Sequence, residues 1–299
     1  MDRAQLKQVL DVLASNSATL RQIEVLMSQG PKRSLTVTSG QSVIHVDSLD
    51  SDFVWIPEDP RTATASLVAI GQYEPIETSL LCALARFSTV VLDYYAVLLG
   101  KCVRPDGRVI SFEPLPAAHH QLVTNVELNN LQRTVTCLPV ALSNANGSAV
   151  LHVPAVSGTS ATSLRILHPD ESNLEVTIET KTLDSVVGDL HLDHIDLVKI
   201  DVEGAELLVM QGGWSTIQRT KPAIFAELLR KWSAGFGYHP NDLVTKLAEL
   251  GYQCFAVGDQ VRPIDEIDDD TIETNFLFLT DSTSHREMVG SLHELKLLI

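Results

Sequence analysis

From residue 72 onward, short and almost continuously apolar segments alternate with segments whose apolar residues recur three and four positions apart. The first pattern is typical of strands covered on both faces of a sheet, and the second is typical of amphipathic helices. The predicted strands are 89–93, 108–113, 134–142, 195–201 and 222–227, and the predicted helices are 76–86, 94–103, 116–130, 204–218 and 240–250. Such alternation predicts an α/β fold with a doubly wound, mostly parallel sheet.

Three further regions complete the predicted organisation. Two late apolar segments, 253–257 and 275–281, are expected to pair as an antiparallel hairpin at the sheet edge, and the polar segment 145–181 is expected to be a hairpin inserted over the strand ends. Residues 2–29 carry a seven-residue apolar repeat that predicts a helix, followed by three short strand-like segments. We therefore expect two units. Residues 1–71 form an N-terminal helix and a small β platform, and this helix is a candidate for mediating homodimerisation. Residues 72–299 form a Rossmann-like domain.

Composition and charge exclude several classes of partner. The chain has 22 Lys and Arg against 38 Asp and Glu, a formal net charge of −16, which disfavours nucleic acid and anionic membranes. No segment predicts a signal peptide or a membrane span, so a cytoplasmic location is expected by default. The four cysteines show no metal-ligand spacing and are expected to be reduced thiols in the core.

Four of the five predicted strands end in an acid: Asp93, Glu113, Asp201 and Glu227. Ligands of an open parallel sheet bind at the carboxyl ends of its strands. A carboxylate at the end of the second strand, Glu113, is placed to accept both hydroxyls of a ribose. The alternative is that Glu113 caps the helix that follows it, since Pro114 comes next.

The sequence contains no G-x-G-x-x-G, no P-loop and no basic cluster beside these acids. This absence disfavours a dinucleotide and an NAD-linked dehydrogenase, and it favours a nucleoside without phosphates, with S-adenosylmethionine as the leading candidate. The blocks "GRVISFEPLPAAHHQLVTNVELNN", "VALSNANGSAVLHV", "TKTLDSVV" and "IDLVKIDVEGAELLVMQGG" resemble those of the FkbM-type methyltransferases, over roughly residues 70–280. The resemblance implies a class I methyltransferase fold and an S-adenosylmethionine-dependent O-methyltransferase acting on a hydroxyl of a natural product, a sugar or a glycan.

One block of the family pattern is missing. A turn of the form D-x-G-A-N-x-G usually follows the first strand of these proteins, whereas here Asp93 is followed directly by "YYAVLLGKC". Either the molecule lacks this turn, or the printed chain joins two residues across a segment that belongs between them. We expect the second, because both flanks keep the family pattern; a true loss would predict a catalytically inactive binding or scaffolding protein that binds no cofactor.

The candidate chemical centre is "LVKIDVEGAEL", where Lys199, Asp201 and Glu203 alternate and so face one side of an extended strand. Asp201 is the first candidate to accept the proton of an acceptor hydroxyl, with holding the cofactor's ammonium group and helix capping as alternatives. Lys199 is the expected counter-charge of Asp201, unless it pairs with Asp184 or Glu227. Glu203 is expected near the N-terminus of the next helix, which is expected to begin at Gly204.

The remaining candidate residues flank this centre. Glu227 is expected to orient the acceptor or assist as a base, or else to form a structural ion pair, and His239 is the histidine nearest the expected acceptor side. At the end of the third strand, Ala141, Leu142 and Ser143 are expected to contact adenine, with Leu142 under the ring and Ser143 at its edge. Together with Asp93, Glu113, Pro114, Asp201 and Glu203 they make up the predicted cofactor site. Asp201 with Glu227 would suffice for Mg²⁺, but no metal is expected, because the fifth strand does not end in an Asp-Asn pair.

Overall fold

The computed structural model describes residues 34–38, 41–47, 52–55, 75–88, 90–93, 96–155 and 161–294. An eight-stranded sheet forms the centre of the molecule. In spatial order its strands are β13 (Val261–Ile264), β12 (Tyr252–Val257), β14 (Asn275–Thr280), β11 (Ala223–Glu227), β10 (Leu197–Ile200), β4 (Val90–Asp93), β5 (Arg108–Phe112) and β6 (Val135–Leu138). The five strands from β11 to β6 run parallel, as the sequence predicts.

The late strands do pair as predicted, but their place in the sheet differs from the expected edge. β14 is antiparallel to β12 on one side and to β11 on the other, so it lies inside the sheet. The edge is formed instead by β13, which pairs with β12 and was not predicted. The physical reason is that β14 is buried on both faces: Phe276 and Phe278 on one face have exposures of 0% and 1%, and Leu277 and Leu279 on the other have exposures of 0% and 3%.

Helices cover both faces of the sheet. They are α1 (Pro75–Ala85), α2 (Ala96–Cys102), α3 (Pro116–Leu128), α4 (Leu183–Asp189), α5 (Glu206–Gly212), α6 (Trp214–Thr220), α7 (Arg230–Gly235), α8 (Pro240–Glu249) and α9 (Thr283–Glu294). Alternate strand residues point to opposite faces, so Phe225 packs in a core with α1 and α2. Its neighbour Ile224 packs in a second core with α4, α5, α6 and α8. The result is the predicted helix–sheet–helix layering.

Two predicted elements are divided in the structure. The expected helix 204–218 is two helices that meet at Gly213, where a Cβ atom would lie 2.6 Å from Leu183 Cδ2. The expected strand 134–142 ends at Leu138, because the following Pro139 has no N–H to donate to a ladder. Helices α4, α7 and α9 were not predicted.

Two small sheets accompany the main one. β1 (Ser34–Thr38), β2 (Gln41–Asp47) and β3 (Asp52–Trp55) form an antiparallel platform, as the sequence predicts. In the inserted segment, β8 (Gly147–Pro154) and β9 (Asn173–Lys181) form the expected hairpin. A short strand β7 (Ala141–Leu142) pairs with β9 in that same small sheet, so it does not continue β6. The predicted N-terminal helix lies outside the described residues and stays a prediction.

The connection after β4 is short. The 299-residue sequence runs from Asp93 directly to Tyr94, and α2 begins at Ala96. Only Tyr94 and Tyr95 therefore separate the strand from the helix in this sequence, and the expectation of an omitted segment stays a prediction. Within the described part of the chain, no helix is long and apolar enough to cross a membrane.

Candidate active site

An ion pair between Lys199 and Asp201 lies at the carboxyl end of β10. Lys199 Nζ donates to Asp201 Oδ2 over 2.8 Å; the lysine side chain is 2% exposed and the aspartate side chain 26%. Burial alone would raise the pKa of Asp201, but the charge of Lys199 and its hydrogen bond outweigh burial, so the pKa is lowered. Lys199 is therefore paired with Asp201, as predicted. Asp184, an alternative partner, accepts hydrogen bonds from the backbone N–H groups of Ser215 and Thr216.

Glu227, the last residue of β11, is hydrogen-bonded to Asp201. β10 and β11 are adjacent and parallel, which brings their two terminal acids together. Burial, the negative charge of Asp201 and the hydrogen bond to Asp201 raise the pKa of Glu227 to about 9. At neutral pH the pair thus holds one proton, carried by Glu227, and one negative charge, which Lys199 balances.

Glu203 completes a group of three carboxylates with Asp201 and Glu227, whose oxygens lie within 4.8 Å of one another. Burial, followed by the charges of Asp201 and Glu206, raises the pKa of Glu203 to about 7. Such a group could chelate a divalent cation. Lys199 already lies beside Asp201, so the charge of this carboxylate is balanced within the protein.

The turn that presents Glu203 is held in a left-handed conformation, with φ of 50° at Glu203 and 96° at Gly204. The first helical residue after the turn is Glu206, and not Gly204 as predicted. Its buried carboxylate accepts from the Gly204 N–H over 2.9 Å through Oε1, and from the Tyr238 hydroxyl over 2.7 Å through Oε2. Glu206 therefore makes the interaction with the N-terminus of α5 that the sequence predicts for Glu203.

The insertion reaches this same turn. The buried Ser163 hydroxyl donates to the carbonyl oxygen of Glu203 over 2.8 Å. Two residues further on, the Arg165 guanidinium lies 5.8 Å from the ring centre of Phe236, and the rings of His168 and Trp232 are 5.3 Å apart. The segment after β8 therefore contacts both the turn at Glu203 and the region of α7.

Glu113 follows β5 directly and is 9% exposed. Its Oε1 accepts from the backbone N–H of Leu115 over 2.8 Å. Leu115 is the N-cap residue of α3 and makes no side-chain cap of its own. The carboxylate is therefore held at the mouth of the sheet and also supports the start of the helix, so the ribose-binding and helix-capping interpretations are both compatible with its position.

The other predicted site residues have the following positions. Ala141 and Leu142 lie in the small sheet, beyond the end of β6 where adenine contacts were expected, and Leu142 packs against the core shared with α4 and α5. The Ser143 carbonyl oxygen would lie 2.0 Å from a Cβ on Gly212, so α5 covers it closely. His239 is exposed and is the N-cap of α8, where its Nδ1 accepts from Asn241 N. Asp93 is the last residue of β4, its side chain lies outside the described residues, and Pro114 lies between Glu113 and α3.

The family to which the chain belongs follows from a comparison of its sequence with family profiles. Residues 93–254, more than half of the chain, match the profile described as the Methyltransferase FkbM domain. The chain belongs to the FkbM methyltransferase family. The matched range contains Asp93, Glu113, Lys199, Asp201, Glu203 and Glu227, which are six of the predicted site residues.

Among curated relatives, Methyltransferase sdnD of Sordaria araneosa is 30% identical, over 36% of this chain and 52% of that protein. The 2-O-methyltransferase NoeI of Sinorhizobium fredii (strain NBRC 101917 / NGR234) is also 30% identical, over 40% of this chain and 53% of that protein. The chain thus spans about half the length of these relatives. Among solved structures, Methyltransferase FkbM from Methylobacillus flagellatus KT is 16% identical, over 64% of this chain and 43% of that one, with a TM-score of 0.40.

Sequence reasoning missed three residues that shape the site. Glu206 stands in the KIDVEGAE block that carries the family resemblance, so its position was visible although no role was assigned to it. Tyr238 and Ser163 lie in the irregular segments 228–240 and 145–181, and their contacts join parts of the chain that are 32 and 40 residues apart. Such contacts depend on tertiary packing and leave no periodic signal in the sequence.

Proposed function

We propose that this member of the FkbM family is an S-adenosylmethionine-dependent O-methyltransferase whose acceptor is a hydroxyl of a natural product, a sugar or a glycan. The observation that carries the proposal is the Lys199–Asp201–Glu227 group at the carboxyl ends of two central parallel strands. Carboxylates at this edge of an open sheet are in the position where such folds bind ligands. Methyl transfer to an alcohol also requires a group that takes the hydroxyl proton.

The residues of the chain fit this cofactor at one end of the site. Glu113 supplies a buried carboxylate for the two ribose hydroxyls. At the other end, the two-residue connection between β4 and α2 cannot carry the usual glycine turn, so the ammonium group of the cofactor requires another partner. Asp201 and Glu203, two members of the carboxylate group, are our proposal for that role. When bound, the cofactor supplies an electrophilic methyl group.

Asp201 is the carboxylate that stays ionised at neutral pH, so it is the group that can accept a hydrogen bond from the acceptor hydroxyl. Lys199 fixes the carboxylate through Oδ2 and limits its rotation. Glu227 carries a proton, and its ionised form is the stronger base because its pKa is higher. The segment with Ser163 and Arg165 and the region of α7 lie beside the turn at Glu203, so they are the proposed source of acceptor contacts.

Replacing Asp201 by Asn tests the role of this carboxylate. If it takes the proton or fixes the acceptor hydroxyl, kcat should fall by roughly 10²- to 10⁴-fold while the dissociation constant of S-adenosylhomocysteine stays nearly the same. If it holds the ammonium group instead, that dissociation constant should rise about tenfold. The assay is transfer of a labelled methyl group to a panel of hydroxylated acceptors, together with calorimetry on the same protein.

The matched control is Asp259→Asn, which makes the same chemical change at an exposed turn residue. It should leave both quantities unchanged. An Asp201→Asn variant that is normal in both transfer and binding would contradict the proposed role and leave Asp201 as a structural residue.

A second candidate function is favoured by one observation, the short connection between Asp93 and Ala96. A strand-to-helix reversal without the glycine turn removes the surface on which the amino-acid end of the cofactor normally lies in this family. The alternative is therefore a catalytically inactive protein that uses the methyltransferase fold for binding or scaffolding. Absence of both cofactor binding and methyl transfer in the wild-type protein would favour it.

A further inference from the structure

Two cysteines from neighbouring helices lie unusually close together. The sulfur atoms of Cys82 in α1 and Cys102 at the end of α2 are 2.7 Å apart, although the two residues are separated by 20 positions in the chain. Neither is in a disulfide. From this juxtaposition, we propose that Cys82 and Cys102 are a site of reversible disulfide formation, which links the helix before β4 to the helix after it.

The geometry requires little movement. A disulfide bond is about 2.05 Å long, so the two sulfurs need to approach by only about 0.7 Å. Cys102 also packs against the core that contains α1. The bond can therefore form between helices that are already in contact.

Exposure sets the order of the chemical steps. Cys102 is half-buried and Cys82 is 5% exposed, so a low-molecular-weight disulfide such as oxidised glutathione meets Cys102 first. The thiolate of Cys102 attacks one sulfur of that disulfide, forms a mixed disulfide and releases one glutathione thiolate. The sulfur of Cys82 then attacks Cys102 Sγ and releases the second glutathione. The protein loses two protons and two electrons, and the glutathione disulfide is reduced to two thiols.

The other two cysteines are poor competitors. Burial raises the pKa of Cys137 to about 11 and that of Cys254 to about 12. Thiolate is the reacting form, so these two thiols exchange slowly near neutral pH. The selectivity of the proposed bond rests on the contact between the Cys82 and Cys102 sulfurs, and Cys254→Ser is a matched control that removes a cysteine outside this pair.

The bond would close a loop that contains β4 and its connection to α2. Restricting this loop in the unfolded chain stabilises the folded protein. It also fixes the relative position of the two helices beside the carboxyl end of β4. The proposal concerns these thiols alone, so it stands or falls independently of the methyltransferase function.

The full chain is equilibrated with oxidised glutathione, and thiol titration, peptide mapping by mass spectrometry and thermal unfolding are then compared with the reduced protein. We expect two of four thiols to be lost, a peptide in which Cys82 is joined to Cys102, and a Tm about 3 to 8 °C higher. Cys254→Ser should show the same linked peptide and the same rise. Cys82→Ser and the less buried Cys102→Ser should show neither.

Four titratable thiols in the folded wild-type protein after equilibration would overturn the proposal. So would a disulfide that joins other cysteines or two chains. If Cys82→Ser fails to fold, the comparison of Cys102→Ser with the wild-type protein decides the result, because the wild-type measurement needs no substitution.

Discussion

At the residue scale, the raised pKa of Glu227 beside Asp201 is the feature with the clearest consequences. The pKa of Glu227 is raised from 4.5 to about 9 by burial and by Asp201. Its protonated form is therefore stabilised in the folded protein, whereas the unfolded chain releases that proton near pH 4.5. This difference links the protonation of one site residue to the stability of the whole fold.

The sign of this linkage gives a prediction for Glu227→Gln. Between pH 5 and 9, unfolding releases the proton of Glu227, so raising the pH favours the unfolded chain and the free energy of unfolding of the wild-type protein falls over this range. Glutamine cannot ionise, so the variant should lose this part of the decline. Urea unfolding at several pH values measures both curves, and Glu127→Gln, an exposed change on α3, should keep the wild-type slope. Parallel curves for wild type and Glu227→Gln would contradict the raised pKa.

The sequence predicted which residues form the candidate site, but it did not predict the environment that sets their pKa values. Alternation along "LVKIDVE" placed Lys199 and Asp201 on one side of a strand, and the structure confirms their contact. The pKa of Glu227 could not be predicted, because it depends on the burial and proximity of a residue on another strand, 26 positions away. The raised pKa of Glu203 could not be predicted either, because it depends on burial and on the charges of Asp201 and Glu206.

At the element scale, the turn between β10 and α5 determines where Glu203 lies. Gly204 has a φ of 96°, and a Cβ at this position would lie 2.9 Å from the Trp232 carbonyl carbon and from the Phe236 ring. The turn thus needs glycine for two reasons, its backbone conformation and the close approach of α7. The hydrogen bonds of Glu206 to Gly204 and Tyr238 hold the same two elements together.

Alanine substitutions separate the two reasons. Gly237 also has a positive φ, 79°, but a Cβ there meets nothing within 4 Å. Gly237→Ala should therefore cost only the backbone strain, about 1 kcal/mol of the free energy of unfolding. Gly204→Ala adds the clash with α7 and should cost about 2 to 4 kcal/mol. Denaturant unfolding of both variants checks this, and equal losses would show that the approach of α7 does not constrain the turn.

Element prediction succeeded where periodicity and composition were strong. The five parallel strands were placed to within a few residues, because their segments are almost wholly apolar. It failed where a single residue or a long-range contact decided the outcome. Pro139 ends β6, and Gly213 divides the expected helix 204–218. β14 also pairs with β11, which is far from it in sequence. Those three outcomes depend on a missing N–H, on a close approach and on burial, and none of them changes the local hydrophobic pattern.

At the scale of the whole molecule, the fold of the family is retained, but the connection at the carboxyl end of β4 departs from the family pattern. The strand order, the acids that end β10 and β11 and the buried Glu113 are all present. The connection after β4 is only two residues long. The short connection therefore bears on how the methionine portion of a cofactor could be held, whereas Glu113, the proposed ribose ligand, lies on the next strand.

Equilibrium binding of S-adenosylhomocysteine, measured by calorimetry on the wild-type chain and on Glu113→Gln, is a direct test of the proposed cofactor site because it needs no knowledge of the acceptor. We expect saturable binding with a stoichiometry of one. We also expect that Glu113→Gln weakens this binding by about 1.5 to 3 kcal/mol, the range for a hydrogen bond to a charged group, while Glu127→Gln does not. A folded wild-type protein that gives no binding, or binding that Glu113→Gln leaves unchanged, would contradict the proposed cofactor site.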